Sequence, residues 1–228
     1  MSNGELPEER DDQEESASLF WTGDEQGPVE NGEAVLTLRT NRGAIDARYH
    51  PAKEATRGVI WVGGAGGGLN GPARGLYPAA CESLQRHGVA GLRLHYRQPN
   101  VLEECVLDVL LGVEFLHREG VEHVGLVGHS FGGAVVISAG ALSERVKAVV
   151  AMSTQTYGTA LVGQLPPRPL LLIHGSADEI LPDSCSQQVY RFAEEPKELV
   201  LYPGAGHGLD EVREEVLDLL ERWLLEKV

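Results

Sequence analysis

The sequence predicts an α/β protein: a doubly wound, mostly parallel sheet that begins with an antiparallel hairpin. Three observations carry this expectation. From Ala34 onward, short apolar runs alternate with helical stretches, as in a sheet covered by helices on both faces. Ala34–Thr40 and Ala44–Tyr49 flank Asn41-Arg42-Gly43, two strand-like runs around a turn signal. Leu102, Val106, Val109, Val113 and Leu116 recur at steps of four and three, which lines one face of a helix.

The hairpin takes the sheet edge, and Gly58–Val62 follows as a short buried strand. A glycine-rich loop leads to a helix over Pro72–His87, which Gly88 ends in the manner of a left-handed C-terminal glycine. Val89–Tyr96 reads as a strand and Val101–Arg118 as the helix with the apolar stripe, closed by Gly120. Then come strand His123–His129, helix Phe131–Leu142, and strands Val146–Met152 and Leu170–His174. Helix Asp183–Ala193, strand Leu199–Tyr202 and helix Asp210–Glu226 complete the series.

Charge separates the chain into two parts. The net charge is −15, and residues 1–33 hold eleven acidic side chains against Arg10 alone. That density predicts a largely disordered acidic extension, with Leu19-Phe20-Trp21 as the one segment able to dock on the domain at 34–228. The acidic balance argues against nucleic acid as a partner. No apolar run reaches the roughly 18 residues of a membrane span, and the N-terminus has no secretory apolar region. Cys81, Cys105 and Cys185 fit neither a complete disulfide set nor a metal-binding spacing, so a reduced, cytoplasmic protein without a metal is expected. Cys105, inside the helical stripe, reads as a core filler.

The strongest local signal is Gly128-His129-Ser130-Phe131-Gly132-Gly133. It is G-x-S-x-G between an apolar strand and a helix, the context that raises a serine hydroxyl above a sheet on a sharp turn. The helix starting behind Ser130 favours negative charge there. A serine needs a base, and the base an orienting group. In open sheets such groups lie beyond the C-terminal strand ends. Asp178 follows strand Leu170–His174, with Glu179 and Asp183 as neighbouring alternatives. His207 follows strand Leu199–Tyr202 within Gly206-His207-Gly208. His129 and His174 read as supports for the elbow and the acid loop.

Gly63–Gly71 admits two readings. Gly66-Gly67-Gly68-Leu69-Asn70-Gly71 matches a dinucleotide fingerprint. Its next strand, however, ends in His95-Tyr96-Arg97 instead of an acid, leaving Arg97 to meet a 2′-phosphate. The favoured reading is an oxyanion hole, with one N–H from Phe131 and one from Ala65, Gly64 and Gly66 being neighbouring registers.

With these motifs in place, the chain from Ala34 to Val228 resembles the α/β-hydrolase fold family. In size it looks like the small dienelactone-hydrolase-like and serine-esterase branch. The resemblance implies Ser130 as nucleophile, Asp178 as acid and His207 as base. Dienelactone hydrolases proper use a cysteine where this chain has Ser130, and many relatives have His-Gly where it has Gly63-Gly64.

Only about seventeen residues separate strand Val146–Met152 from strand Leu170–His174, too few for a large lid. An open site for small esters is expected, lined by Leu69, Asn70, Phe131, Gln155, Tyr157, Ile180 and Leu181. The expected activity is ester hydrolysis through an acyl-enzyme, with no metal or organic cofactor. Thioester or small-peptide hydrolysis, or ligand binding without catalysis, are the alternatives.

Overall fold

The computed structural model describes residues 18–228. Nine strands are β1 (Trp21–Glu30), β2 (Glu33–Thr40), β3 (Gly43–His50), β4 (Arg57–Val62), β5 (Val89–His95), β6 (His123–His129), β7 (Val146–Met152), β8 (Leu170–Gly175) and β9 (Lys197–Tyr202). They form one sheet in the order β1-β2-β3-β5-β4-β6-β7-β8-β9. β1 to β3 pair antiparallel with one another, and β3 pairs antiparallel with β5. Every pairing from β5 to β9 is parallel.

Five helices cover the sheet: α1 (Pro72–Arg86), α2 (Leu102–Arg118), α3 (Phe131–Leu142), α4 (Ser184–Phe192) and α5 (Arg213–Lys227). Successive strand residues point to opposite faces, so the sheet has two cores. Ile60, Val62, Leu92, Leu94 and Leu126 meet Val109, Val113 and Leu116 of α2 and Val135 and Ala139 of α3. Val59, Trp61, Val127 and Val150 meet Leu76, Tyr77 and Leu84 of α1 and Val216, Leu220 and Trp223 of α5. The predicted stripe of α2 faces inward, and Cys105 is fully buried within it.

The hairpin is not the edge of the sheet. β1, inside the segment expected to be largely disordered, lies outside it and pairs with β2 from Trp21 to Glu30. Ladder hydrogen bonds use only backbone groups, so acidic side chains on an edge do not prevent pairing. Trp21 also stacks on Phe115 of α2 at 6.1 Å, and the Arg118 guanidinium lies 4.2 Å from the centre of its ring. Docking by the apolar triplet thus rests on Trp21, while Phe20 stays half exposed. The disorder expected of residues 1–17 lies outside the described residues.

Two helix starts also differ from expectation. Ala73, Arg74 and Gly75 have positive φ, so a left-handed turn opens α1. Asp210–Val212 is a short 3-10 turn before α5. Among the described residues, no helix is long and apolar enough to cross a membrane, and no cluster of three or more His, Cys, Asp or Glu side chains could hold a metal ion.

Candidate active site

The three candidate residues stand at the C-terminal ends of parallel strands: Ser130 after β6, Asp178 after β8 and His207 after β9. Ser130 has φ 57° and ψ −120°, a strained conformation directly before α3. Its N–H donates to Met152 O at 2.8 Å, tying the elbow to the end of β7. The flanking glycines are required by close approach. A Cβ on Gly128 would lie 2.1 Å from Gly132 O, and one on Gly132 would lie 2.3 Å from Gly63 O.

His207 Nδ1 lies 2.7 Å from Asp178 Oδ2. A carboxylate accepts, so the proton sits on Nδ1 and the Nε2 lone pair is left to take a proton. The Asp178 side chain is fully buried, and that of His207 is 20% exposed. Burial alone would raise the Asp178 pKa. The N–H groups of Leu181 and Ile180 and the Nδ1–H of His207 outweigh it and hold the carboxyl below its usual range. Among the described residues the Ser130 hydroxyl makes no hydrogen bond, a contact that in such sites often tightens only with substrate.

Asp178 has a further partner in His174, which is fully buried. Its Nε2 lies 3.1 Å from Asp178 Oδ2 and 2.9 Å from Leu181 O. Both are acceptors, so Nε2 carries the proton, while Nδ1 accepts from the Ser186 hydroxyl at 2.6 Å. The four-residue step from His174 to Asp178 is the sequence signal for this support. Glu179, by contrast, is exposed, and Asp183 precedes α4; neither hydrogen-bonds to His207 among the described residues.

The His207 carbonyl is held from two sides. His129 Nε2 donates to it at 2.8 Å and the Ser153 hydroxyl at 3.0 Å. The His129 and His207 rings lie 4.7 Å apart. Burial keeps His129 neutral, its pKa lowered to about 4. Ser153 is buried, and its N–H donates to Ile173 O at 2.7 Å. Its role has no sequence signal, because it depends on β7 lying beside β8.

The glycine-rich loop comes back over the elbow. A Cβ on Gly64 would lie 3.5 Å from Ser130 Cβ. Gly67 N–H donates to Gly64 O at 2.9 Å, closing a turn with Ala65 and Gly66 at its tip. Among the described residues the Ala65 N–H donates to no acceptor. The Phe131 N–H belongs to the first turn of α3, where backbone donors lack intrahelical partners. Arg97 is committed elsewhere: its guanidinium pairs with Asp108 through Nε and with Glu104 through Nη2 at 2.9 Å. The cation that the dinucleotide reading required is thereby occupied.

The expected pocket residues divide. Leu69 and Asn70 line a cavity of about 760 Å³ with Arg48, Arg93 and His95, whose lining includes none of Ser130, Asp178 and His207. Leu69 O and Asn70 Oδ1 both accept from Arg93 Nη1. Ile180 and Leu181 serve Asp178 through their N–H groups, at 2.8 and 2.9 Å, and the Ile180 side chain is exposed beside it. Gln155 Nε2 donates to Tyr157 O at 2.9 Å, and the Tyr157 ring is exposed. Between β7 and β8 the sole regular element is the 3-10 turn Val162–Gln164.

An elbow after one parallel strand, with an acid and a histidine after the second and third strands beyond it, is the architecture of an α/β-hydrolase. The chain belongs to the dienelactone hydrolase family, whose model matches residues 94–218, just over half of its length. Among solved structures, the dienelactone hydrolase from Anabaena variabilis superposes with a TM-score of 0.76 at 20% identity, covering 86% of this chain and 98% of its own. Est1E from Butyrivibrio proteoclasticus gives 0.72 at 20% identity over 84% and 98%. XC6422 from Xanthomonas campestris, described as an α/β serine hydrolase without a lid, gives 0.68 at 20% over 86% and 98%. These likenesses concern the fold. The uncharacterized protein YfhR of Escherichia coli K12 is 32% identical, matched over 40% of this chain and 41% of its own length.

Proposed function

We propose that the chain is a serine hydrolase that cleaves small carboxylic esters through an acyl-enzyme. The observation that carries this reading is the 2.7 Å contact from Asp178 to His207 Nδ1, which leaves the Nε2 lone pair as the acceptor at the same strand-end edge of the sheet as Ser130 on its strained turn. Ser130 Oγ attacks the ester carbonyl as His207 Nε2 takes its proton. The negative charge that forms on the carbonyl oxygen is met by the N–H groups of Phe131 and Ala65. As the tetrahedral intermediate collapses, the bond to the leaving alkoxide breaks and His207 returns the proton to it. Water then attacks the acyl-enzyme with His207 again acting as base, which releases the carboxylic acid and restores Ser130. Buried Asp178 holds the tautomer and stabilises the imidazolium that forms in each step.

The short 153–169 connection, with its single 3-10 turn, supports a preference for small acyl groups. A fluorophosphonate probe tests the reading. Labelling of the wild type but not of Ser130→Ala, with hydrolysis of short-chain nitrophenyl esters, is expected. A wild type that neither labels nor cleaves would refute it, and a preference for long acyl chains would refute the small-substrate part.

A further inference from the structure

Two tyrosine hydroxyls converge where the glycine-rich loop leaves β4. Tyr77 of α1 donates to Val62 O at 2.8 Å, and Tyr96, just beyond β5, donates to Gly63 O at 3.1 Å. Both side chains are buried, at 0% and 2% exposure. Burial pushes both phenols above their ordinary range, so each remains an O–H donor.

The Gly63 carbonyl matters because it stands one peptide before the candidate oxyanion donor. It belongs to the 63–64 peptide, and the Ala65 N–H belongs to the next. The two planes are joined only through Gly64, the residue type with the most backbone freedom. The second plane is already fixed to the turn, since Gly64 O accepts from Gly67. The Tyr96 hydroxyl fixes the first plane to the body of the protein.

Tyr96 also meets the other arm. Its ring lies edge-on to Phe131, with centroids 6.2 Å apart and planes at 88°. Gly132 leaves the space for this arrangement: a Cβ there would lie 3.1 Å from the Tyr96 hydroxyl. Tyr96 is itself anchored through the next residue, whose N–H donates to Asp108 Oδ2 at 2.8 Å.

We propose that Tyr96 is a positioning residue that holds both arms of the oxyanion hole, Ala65 through the Gly63 carbonyl and Phe131 through ring contact, in register with Ser130. The proposal rests on the hydrolase reading above. It assigns Tyr96 no contact with substrate; the residue acts through two backbone N–H groups. Its loss should therefore be felt in the transition state more than in ground-state binding.

Tyr96→Phe removes one oxygen and keeps the ring. Measured on the full chain, kcat for a short nitrophenyl ester should fall about 10- to 100-fold with KM within about twofold. The rate of Ser130 phosphonylation by a fluorophosphonate should fall by a similar factor, because that reaction also builds charge on an oxygen in the hole. Affinity for the carboxylate product should be unchanged. Phe131→Leu, which keeps the backbone N–H and removes the ring contact with Tyr96, should lower kcat in the same pattern and tests the proposal if the first variant does not fold. Wild-type kcat in folded Tyr96→Phe, or a loss confined to KM, overturns the proposal. A wild type that neither labels nor turns over refutes the hydrolase reading instead.

Discussion

His129, the residue before the elbow serine, donates through Nε2 to the backbone carbonyl of His207 at 2.8 Å. The candidate nucleophile and the candidate base are thus joined through a neighbour of one and the main chain of the other. The second donor to that carbonyl is the Ser153 hydroxyl. Removing one donor should loosen the base without unfolding it. His129→Ala is expected to lower kcat about 10-fold with little change in KM. The double variant with Ser153→Ala should lose more than the product of the two single losses, which a double-mutant cycle on kcat/KM measures.

The acid side of the stability profile should show two phases. Burial lowers His129 and His50 to about 4 each, against an ordinary 6.5. Between those values the unfolded chain binds protons that the folded chain does not. Stability is therefore complete above pH 6.5 and falls as pH drops toward 4, by up to about 1.4 kcal/mol per unit for each histidine. The lowered Asp178 pKa acts further down, stabilising above its unfolded value and losing that contribution as pH falls through the folded one. Urea midpoints should hold between pH 7.5 and about 6.5 and fall from there to pH 4.5, and His129→Gln should flatten that fall.

Asp178→Asn keeps the size of the side chain and removes its charge. Its amide can present an N–H to His207 and favour the wrong tautomer, so kcat should drop by about 10⁴. The Ile180 and Leu181 N–H groups retain an oxygen to donate to, so circular dichroism should show an intact fold. A loss below about 10-fold would mean that His207 is oriented without the acid.

Trp21 should contribute to stability and residues 1–17 should not contribute to turnover. Trp21→Ala removes the stacking on Phe115 and the contact with Arg118. A cost of about 2 kcal/mol, read from the urea midpoint, is expected for this partly buried ring. Deleting residues 1–17 should leave ester hydrolysis within about twofold, because the residues assigned to the proposed reaction, Ser130, Asp178, His207, Phe131 and Ala65, all belong to the described part of the chain.

The positions of Ser130, Asp178 and His207 were legible because each sits in the loop after a strand, and strand ends can be read from short apolar runs. The stripe of α2 was legible from its periodicity. β1 was not, since acid density dominates Trp21–Glu30 while the pairing is made by backbone groups that all sequences share. Ser153 and Tyr96 were hidden for another reason. Their hydroxyls act across neighbouring strands and loops, and the adjacency arises only once β5, β4, β6, β7 and β8 are laid side by side. Leu69 and Asn70 were expected in the lining of the site, but the long-range contact that holds them, from Arg93 on β5, is invisible in the sequence.

Among the described residues, β1 leaves one side of its ladder unpaired at the rim of a nine-stranded sheet. Such a rim is a template on which another chain can pair. Here the exposed strand carries Asp24, Glu25 and Glu30, includes Pro28 with no N–H to offer, and is broken in register between Trp21 and Gly23 and between Gln26 and Val29. Two copies meeting rim to rim would bring like charges together over an uneven ladder. The acidity that resembles a disordered tail in the sequence is therefore expected to guard against fibre-like growth. Neutralising Asp24 and Glu30 together, with Glu25 left to its pair with Arg39, should raise light scattering on storage at neutral pH.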